Sequence, residues 1–468
     1  MTVQERRVTP ISYEPQDAWD EAFEPDGEPR PLYAALLARL AGRDLAVLAD
    51  EVAAHAAGEG ATFGGDRAFP VDPIPRLIAA DEWRELEADL GQRVRALDAF
   101  VSDLARGRRV VQAGVVPERL AATLPFLEPD LAELPDPVSA RIAIAGLDVV
   151  RDVEGRFHVL EDNVRTPSGM AYLLATRRAT KAHLDFEEPR RPVRAALANL
   201  LGSVLAAARP DHDDDAAVVV LSDGPQNSAY FEHRVLAELA GVPLVHPDEL
   251  RAQAGHLVSR STGRRIQVVY RRTDEDRLRA PDGALTAMGE LLLEPLQAGT
   301  LSVVNGFGTG VADDKRIYPY VDAMIRFYLG EEPMLPSIVT YDLADPAARE
   351  QALARLDELV VKPRDGHGGH GVVIGPTASR AELREAAEAV CADPEGWCAQ
   401  ELVRLSTHPT VVDGRLAPRH VDLRPFLFYD GRTTAALPGG LTRVALEEGS
   451  LVVNSSRRGG GKDTWVLP

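Results

Sequence analysis

Gly146 to Gly169 reads GLDVVRDVEGRFHVLEDNVRTPSG. Two short runs rich in β-branched and apolar residues are joined there by the turn signal Val153, Glu154, Gly155, a pattern that predicts a β-hairpin with acidic ends. Alternate side chains of a strand share one face, so Glu161 and Asn163 are expected to project together while Asp162 turns to the other side. Asp148, on the paired strand, is expected to meet them. Two carboxylates and an amide oxygen converging on a sheet surface suit a hard, octahedral cation that keeps waters and shares its remaining positions with phosphate oxygens. For a lone acidic pair the plain alternative is a solvated hairpin end, because carboxylates are usually exposed. Arg165 to Gly169, RTPSG, weighs against that alternative by placing a cation and a tight turn beside the carboxylates.

Upstream, from Pro31 to about Pro135, Leu and Ala recur at three- and four-residue spacing in PLYAALLARLAG and DEWRELEADLGQRVRALDAFVSDLA, which predicts helices. Pro70, Pro73 and Pro75 are expected to break this stretch. Downstream, a helical segment runs to Ala208 and is followed by the polar acidic linker Pro210 to Asp215. AAVVVLSDGPQNSAYFEHRVLAELAGVPLVHPDEL then reads as strand, Gly-Pro loop, amphipathic helix and strand, the layout of a βαβ unit with a parallel sheet. QVVYRR and LSVVNG are further strand candidates. This middle lobe is expected to be a Rossmann-like layer, whose ligands would lie at the carboxyl ends of its strands.

Beyond Asn305, ELVVKPRDGHGGHGVVIG reads as strand, glycine loop, strand. Glycines let backbone N–H groups approach phosphate oxygens, and Lys362 at the strand end adds a point charge. The lysine precedes the glycines, so this is neither a Walker loop nor a dinucleotide fingerprint, and a purely structural hairpin loop stays open. Gln400 to Val403, QELV, could read an adenine edge through Glu401 or could be an ordinary strand. HVDLRPFLFYDGRTTAALPGGLTRVA predicts a long antiparallel hairpin turning at Asp430 and Gly431. Around its glycines and the later GGG gather Asp422, Arg424, Arg443, Asn454, Arg457, Arg458 and Lys462, of which the Arg, Lys and Asn residues suit anions with developing charge.

Composition narrows the class. Hydrophobic residues make up 45% and charged residues 26% of 468 residues, the balance of a folded protein of two or three lobes. A net charge of -20 with no segregated basic patch argues against nucleic-acid binding. Cys391 and Cys398 alone do not make a disulfide framework, and no apolar stretch reaches membrane-spanning length. A cytoplasmic protein with no membrane partner is expected.

Together these residues resemble the ATP-grasp ligases, with the motif order altered. Gly146 to Asp148 and Glu161 to Asn163 come first, whereas Lys315, Lys362, Glu401, Asp422, Arg424, Arg443 and Asn454 follow, an order that implies circular permutation. VLEDNVRTPSG and GGLTRVALEEGSLVVNSS are the specific stretches, and the likeness extends over nearly the whole chain from Pro31. The chain looks like the circularly permuted ATP-grasp family related in design to glutathione synthetase and glutathionylspermidine synthase.

The resemblance implies an α/β (α+β) fold in which a permuted ATP-grasp core carries an inserted Rossmann-like parallel-sheet lobe and an N-terminal helical region. The implied division is 1–135 helical region, 136–208 first part of the core with the metal ligands, 209–305 substrate lobe, 306–400 lid with lysines and glycine loop, and 401–468 remainder of the core. It implies ATP and Mg2+ as cofactors, with metal ligands at Asp148, Glu161 and Asn163. Phosphate contacts would come from Lys315, Lys362 and the loop at Gly368 and Gly369, and adenine contacts from Gln400, Glu401 and Val403. Arg443 and Asn454 would hold an acyl phosphate or carboxylate, with Lys315, Arg424 and Lys462 as further catalytic cations.

The activity so implied joins a small-molecule or peptide carboxylate to an amine, with release of ADP and phosphate. An ATP-dependent small-molecule kinase and a non-catalytic nucleotide-binding protein are the alternatives. The identities of the acid and the amine, and whether the chain forms a homo-oligomer, stay open.

Overall fold

Trp83, Leu86, Leu90, Val94, Leu97, Val101 and Leu104 follow one another at three- and four-residue steps, and all are buried on one side of the helix Ala80–Leu104. That apolar stripe packs across the strands Arg415–Tyr429 and Thr434–Val444 and beside the helix Val321–Leu329. In this computed structural model the described residues are 12–62, 67–184, 190–210, 215–365, 371–451, 453 and 459–468.

The largest sheet has eight strands. Its order is Val71–Ile78, Gly460–Val466, Thr434–Val444, Arg415–Tyr429, Asp148–Arg151 and Phe157–Glu161, and Thr407–Val412 and Ile144–Gly146 also pair with Arg415–Tyr429. The last strand of the chain lies parallel to the first, with Asp72 opposite Lys462 and Leu77 opposite Trp465. First and last strands that are sheet neighbours are what a circular permutation requires, since only the connections then need to change.

The segment expected to be a proline break is a strand: Val71–Ile78 contains Pro73 and Pro75 and is buried throughout. It stands at the end of the sheet order, and its register with Gly460–Val466 shifts between Asp72 and Arg76. An outer strand with an irregularity tolerates residues that cannot donate to the ladder.

A second sheet of six strands forms the middle lobe. Ala217–Ser222 pairs in parallel with Leu244–Val245 and Arg265–Arg272, and Arg265–Arg272 pairs in parallel with Ser302–Val304. This parallel layer carries the expected architecture. The sheet is nevertheless mixed, because the hairpin Leu250–Gln253 and His256–Ser259 adds two antiparallel strands. Ala254 and Gly255 both take positive φ at that tight turn, a signal too short to stand out in sequence.

The third sheet, Thr340–Asp342, Trp397–Glu401, Leu359–Pro363 and Val373–Ile374, is antiparallel. The helices Pro346–Leu353 and Arg380–Ala392 belong to the same small lobe. The latter begins with a reciprocal cap between Ser379 and Glu382. Among the described residues no helix is long and apolar enough to cross a membrane.

Candidate nucleotide and metal site

The small antiparallel sheet faces the acidic hairpin of the large sheet across a cleft with about 950 Å3 of space, part of it open to solvent. Asp148, Glu161, Asp422 and Arg443 line it from the large sheet, and Lys362, Gln400 and Glu401 from the small one. Lys315 lies between them. Leu160, Val360, Ile374, Leu402, Val403 and Leu405 form an apolar wall able to cover a flat ring system. Segments separated by more than two hundred positions in sequence thus meet at one cavity.

The hairpin sets the acidic side. Asp148 pairs directly with Glu161 in the antiparallel ladder, so their side chains share a face. Asp162 turns the other way and is clamped by Arg93, Nε to Oδ1 and Nη2 to Oδ2 both 2.7 Å, with both side chains buried. That buried pair anchors the hairpin to the long helix. Gly169 closes the segment with φ +134°, and its N–H donates to Glu232 Oε2 at 2.8 Å. A Cβ there would lie 2.9 Å from Phe426, so the tight turn requires glycine for space as well as for φ.

Asp148 is 2% exposed. Arg424 donates to it from Nε at 2.6 Å and from Nη2 at 2.9 Å, and Arg443 from Nη2 at 2.8 Å. Burial favours the neutral acid, but the two guanidiniums outweigh it and hold the carboxyl at about 2. Arg443 is shared with Asp422, to which its Nε donates at 2.9 Å. Asp422 is pushed upward by burial against the pull of Arg443. Glu161 is less committed: it is 35% exposed and meets Lys315 Nζ at 3.2 Å.

A carboxylate offers roughly four acceptor positions. Three on Asp148 are filled by arginine, which leaves one beside the accessible oxygens of Glu161. The donor set of this pair fits a divalent cation that takes one oxygen from each and draws its other ligands from water and phosphate. Asn163 lies beyond the strand end. Its backbone oxygen accepts from Gly146 N at 2.8 Å, while its Nδ2 is buried with no hydrogen-bond partner.

On the opposite wall, Lys362 Nζ donates to Gln400 Oε1 at 2.5 Å, and Gln400 Nε2 donates to Thr340 Oγ1 at 3.0 Å. Burial lowers the Lys362 pKa, Glu161 opposes that shift, and Lys315 adds to it. A cation enclosed in this way gains most from an anionic partner. Glu401 is held differently from the sequence expectation. Its carboxylate accepts from Arg355 at 2.9 and 3.1 Å and from Tyr341 at 2.8 Å, and its N–H donates to Val339 O at 2.9 Å. Any contact from Glu401 to a base would therefore use other atoms.

Two expected cations separate. Arg424 stays next to the cleft through Asp148 and donates to Ser168 O at 3.1 Å. Lys462 does not reach it. It is fully buried, bonded to Asp72 and to Pro409 O at 3.1 Å, because the parallel pairing with Val71–Ile78 turns it into the core. Gly368, Gly369, Asn454, Arg457 and Arg458 lie outside the described residues.

Sequence reading missed Asp313 and Asp314. Both line a recess adjoining the cleft, with Lys315, Lys362 and Gln400. Burial pushes Asp313 up to about 7, against Arg165 and the Val164 N–H that donates to it at 2.7 Å. Asp314 accepts from Arg364 at 2.6 and 2.8 Å, and Arg364 also donates to Thr123 O at 2.9 Å, which ties the base of the glycine loop to the N-terminal region. The doublet in GVADDKRIYPY was legible only as a neighbour of Lys315.

The sequence profile of the family described as "Circularly permuted ATP-grasp type 2" matches residues 75–445. A Frankia alni protein named "Putative glutamate--cysteine ligase 2-3" is 44% identical, the match covering 98% of this chain and 55% of that protein. The chain spans about half the length of that relative, so the activity in its name is not thereby placed in the shared part. An uncharacterized protein of Mycobacterium tuberculosis is 41% identical, covering 96% of this chain and 84% of its own. One of Synechocystis is 42% identical, with 97% and 98% covered. Among solved structures, a glutathione synthetase-like effector from Globodera pallida in its apo form aligns with a TM-score of 0.55 at 12% identity, over 91% of this chain and 98% of that one. That likeness speaks for the fold.

Proposed function

The chain belongs to the circularly permuted ATP-grasp family, and on that premise we propose that it is an ADP-forming carboxylate–amine ligase that makes an amide through an acyl phosphate. The observation that carries this reading is the single cleft in which the Asp148–Glu161 pair faces Lys315 and Lys362 beside an apolar wall. An acidic pair suits a magnesium ion, two lysines suit a polyphosphate, and the wall suits a purine. Bound there, magnesium would supply charge neutralisation on the phosphates, held by Asp148 and Glu161.

In the proposed reaction a substrate carboxylate oxygen attacks the γ-phosphorus, the bond to the β-phosphate oxygen breaks, and ADP leaves. An amine then attacks the acyl carbon, phosphate departs, and the amine proton is released. Lys315 and Lys362 balance charge on the transferring group, and closure of the two sheets over bound substrates would exclude water that would hydrolyse the intermediate. Arg443, fixed between Asp148 and Asp422, holds the Asp148 carboxylate in place so that it needs no reorganisation during the reaction. No side-chain nucleophile is needed.

The test is ADP release with ATP, Mg2+ and pooled amino acids and polyamines, with mass spectrometry of the products. A product equal to two substrates minus water supports the ligase. A product carrying an added phosphate supports a kinase, and no turnover with intact nucleotide binding supports a binding protein.

A further inference from the structure

Beside the strand Ser302–Val304 of the middle sheet lies another cavity, with about 820 Å3 of space, part of it open to solvent. It is bounded on its other side by the segment 134–141 that leads into the large sheet, and it shares no lining residue with the cleft. Its walls are mainly apolar, formed by Leu134, Val138, Ala140, Leu296, Leu301 and Val303.

Arg141 also lines this cavity, and it is 6% exposed. Its Nε is buried with no hydrogen-bond partner, and among the described residues its guanidinium forms no ion pair. Arg76, Arg93, Arg316 and Arg443 are also buried, but each of them holds a carboxylate. Burial draws Arg141 below its ordinary pKa, whereas in Arg93 and Arg443 burial is outweighed by the paired carboxylates.

The carboxylates that act on Arg141 are committed elsewhere. Asp136 pairs with Arg106 Nη1 at 2.7 Å on the surface, and Asp98 accepts from the Ile142 N–H at 2.9 Å and from the Arg141 N–H. Burial also pushes Asp98 upward, which weakens it as a counter-charge. Formal charge around Arg141 is thus balanced, and what is missing is a hydrogen-bond acceptor. A buried guanidinium with unused donors costs free energy that an oxyanion would recover.

The polar end of the cavity is built on fixed backbone. Arg141 O accepts from Gly306 N at 2.9 Å, and the Asn305 side chain accepts from Ile144 N at 2.8 Å. Such anchoring before a ligand arrives limits the ordering cost of binding. The strand Ser302–Val304 pairs with Arg265–Arg272 on one side, but three residues make too short an edge to capture a strand of another protein. A small amphiphile matches the apolar walls and the single cation together.

We propose that this cavity is a binding site separate from the reaction cleft, and that it takes a monocarboxylate with an apolar body, the carboxylate on Arg141 and the hydrocarbon along Leu134, Val138 and Val303. The site stands independently of the ligase reading, since none of its residues lines the cleft.

Calorimetry on the full chain with octanoate, octanamide and acetate tests it. Octanoate is expected to bind at least about tenfold tighter than octanamide, which lacks the charge, and than acetate, which lacks the apolar body. Arg141→Met should abolish the preference over octanamide. It should also leave the melting temperature of the ligand-free protein unchanged or higher, because no carboxylate loses its partner. Val138→Asp, at a position 55% exposed, should keep the fold and weaken octanoate at least about tenfold by placing a like charge at the rim. Failure of octanoate to bind, equal binding of octanoate and octanamide, octanoate affinity unchanged in both folded variants, or a lower melting temperature in Arg141→Met overturns the proposal.

Discussion

Asp148 stands directly opposite Glu161 in the ladder, yet the two carboxylates are held very differently: Asp148 is locked by Arg424 and Arg443, while Glu161 meets Lys315 at the open side of the cleft. The same chemical change should therefore have unlike consequences at the two positions. Glu161→Gln should abolish ADP formation while costing less than about 1 kcal/mol of stability, since the side chain is partly solvated. Asp148→Asn leaves two arginines without their counter-charge and should cost about 3–5 kcal/mol. Denaturant unfolding and ADP release, measured on both variants, check this; full turnover by the glutamine variant would remove the metal assignment.

Lys362→Met should weaken ATP binding by roughly 10- to 100-fold, because the cation lost is one that burial has left in need of an anion. Lys362→Arg should rescue poorly, as a planar fork cannot replace a point charge bonded to Gln400 Oε1. Nucleotide titration of the two variants separates these outcomes, and wild-type affinity in the methionine variant contradicts the phosphate role.

Glu128 titrates near 7 in the folded protein against 4.5 for the free side chain, because it is buried. Between those values the folded chain holds a proton that the unfolded chain has released, so this contribution to stability is whole at low pH. It is lost as pH rises through 7. Glu128→Gln is neutral throughout and should reduce the loss of stability between about pH 5 and about pH 8 by on the order of 1–3 kcal/mol. Urea unfolding of both proteins across that range is the check, and parallel pH profiles would refute it.

Gly169→Ala should destabilise the chain by about 2–3 kcal/mol, since φ +134° is unfavourable for alanine and the new methyl meets Phe426. Because the N–H of Gly169 is bonded to Glu232, which also holds Arg272, loss of stability should come with weakened docking of the middle lobe. Hydrogen exchange at the helix Met170–His183 would register it, and an unchanged melting temperature would contradict it.

Arg93→Met should cost about 3–5 kcal/mol by leaving Asp162 buried and unpaired. The variant Arg93→Met with Asp162→Leu, which removes both charges, should recover much of that loss. Thermal unfolding of the single and double variants measures the coupling, and simple additivity would show that the pair is not what anchors the hairpin.

The hairpin, the long helix and the glycine-loop strands were legible because each writes a local period: alternation in VVRDVEGRFHVLE, three- and four-residue steps in the segment 80–104, and apolar runs on either side of KPRDGHGGHG. The family likeness rested on the same local stretches. Local rules misread FPVDPIPR, where proline argued against a strand that an outer position and a register shift permit. They also placed Lys462 among free cations on the strength of its glycine neighbours, whereas pairing with Asp72 buries it.

By itself, then, the sequence determined the acidic hairpin, the long helix and the strands beside the glycine loop, and which segments carry carboxylates and cations, because those properties depend on neighbours within a few residues. Only the tertiary structure decided who meets whom: that Arg443 is held between Asp148 and Asp422, that Lys462 is a core residue, and that Arg165, Arg271 and Arg277 share Phe126 and Phe307. The physical reason is that such contacts join positions up to hundreds of residues apart. Their geometry follows from sheet register and lobe packing, which no local periodicity encodes.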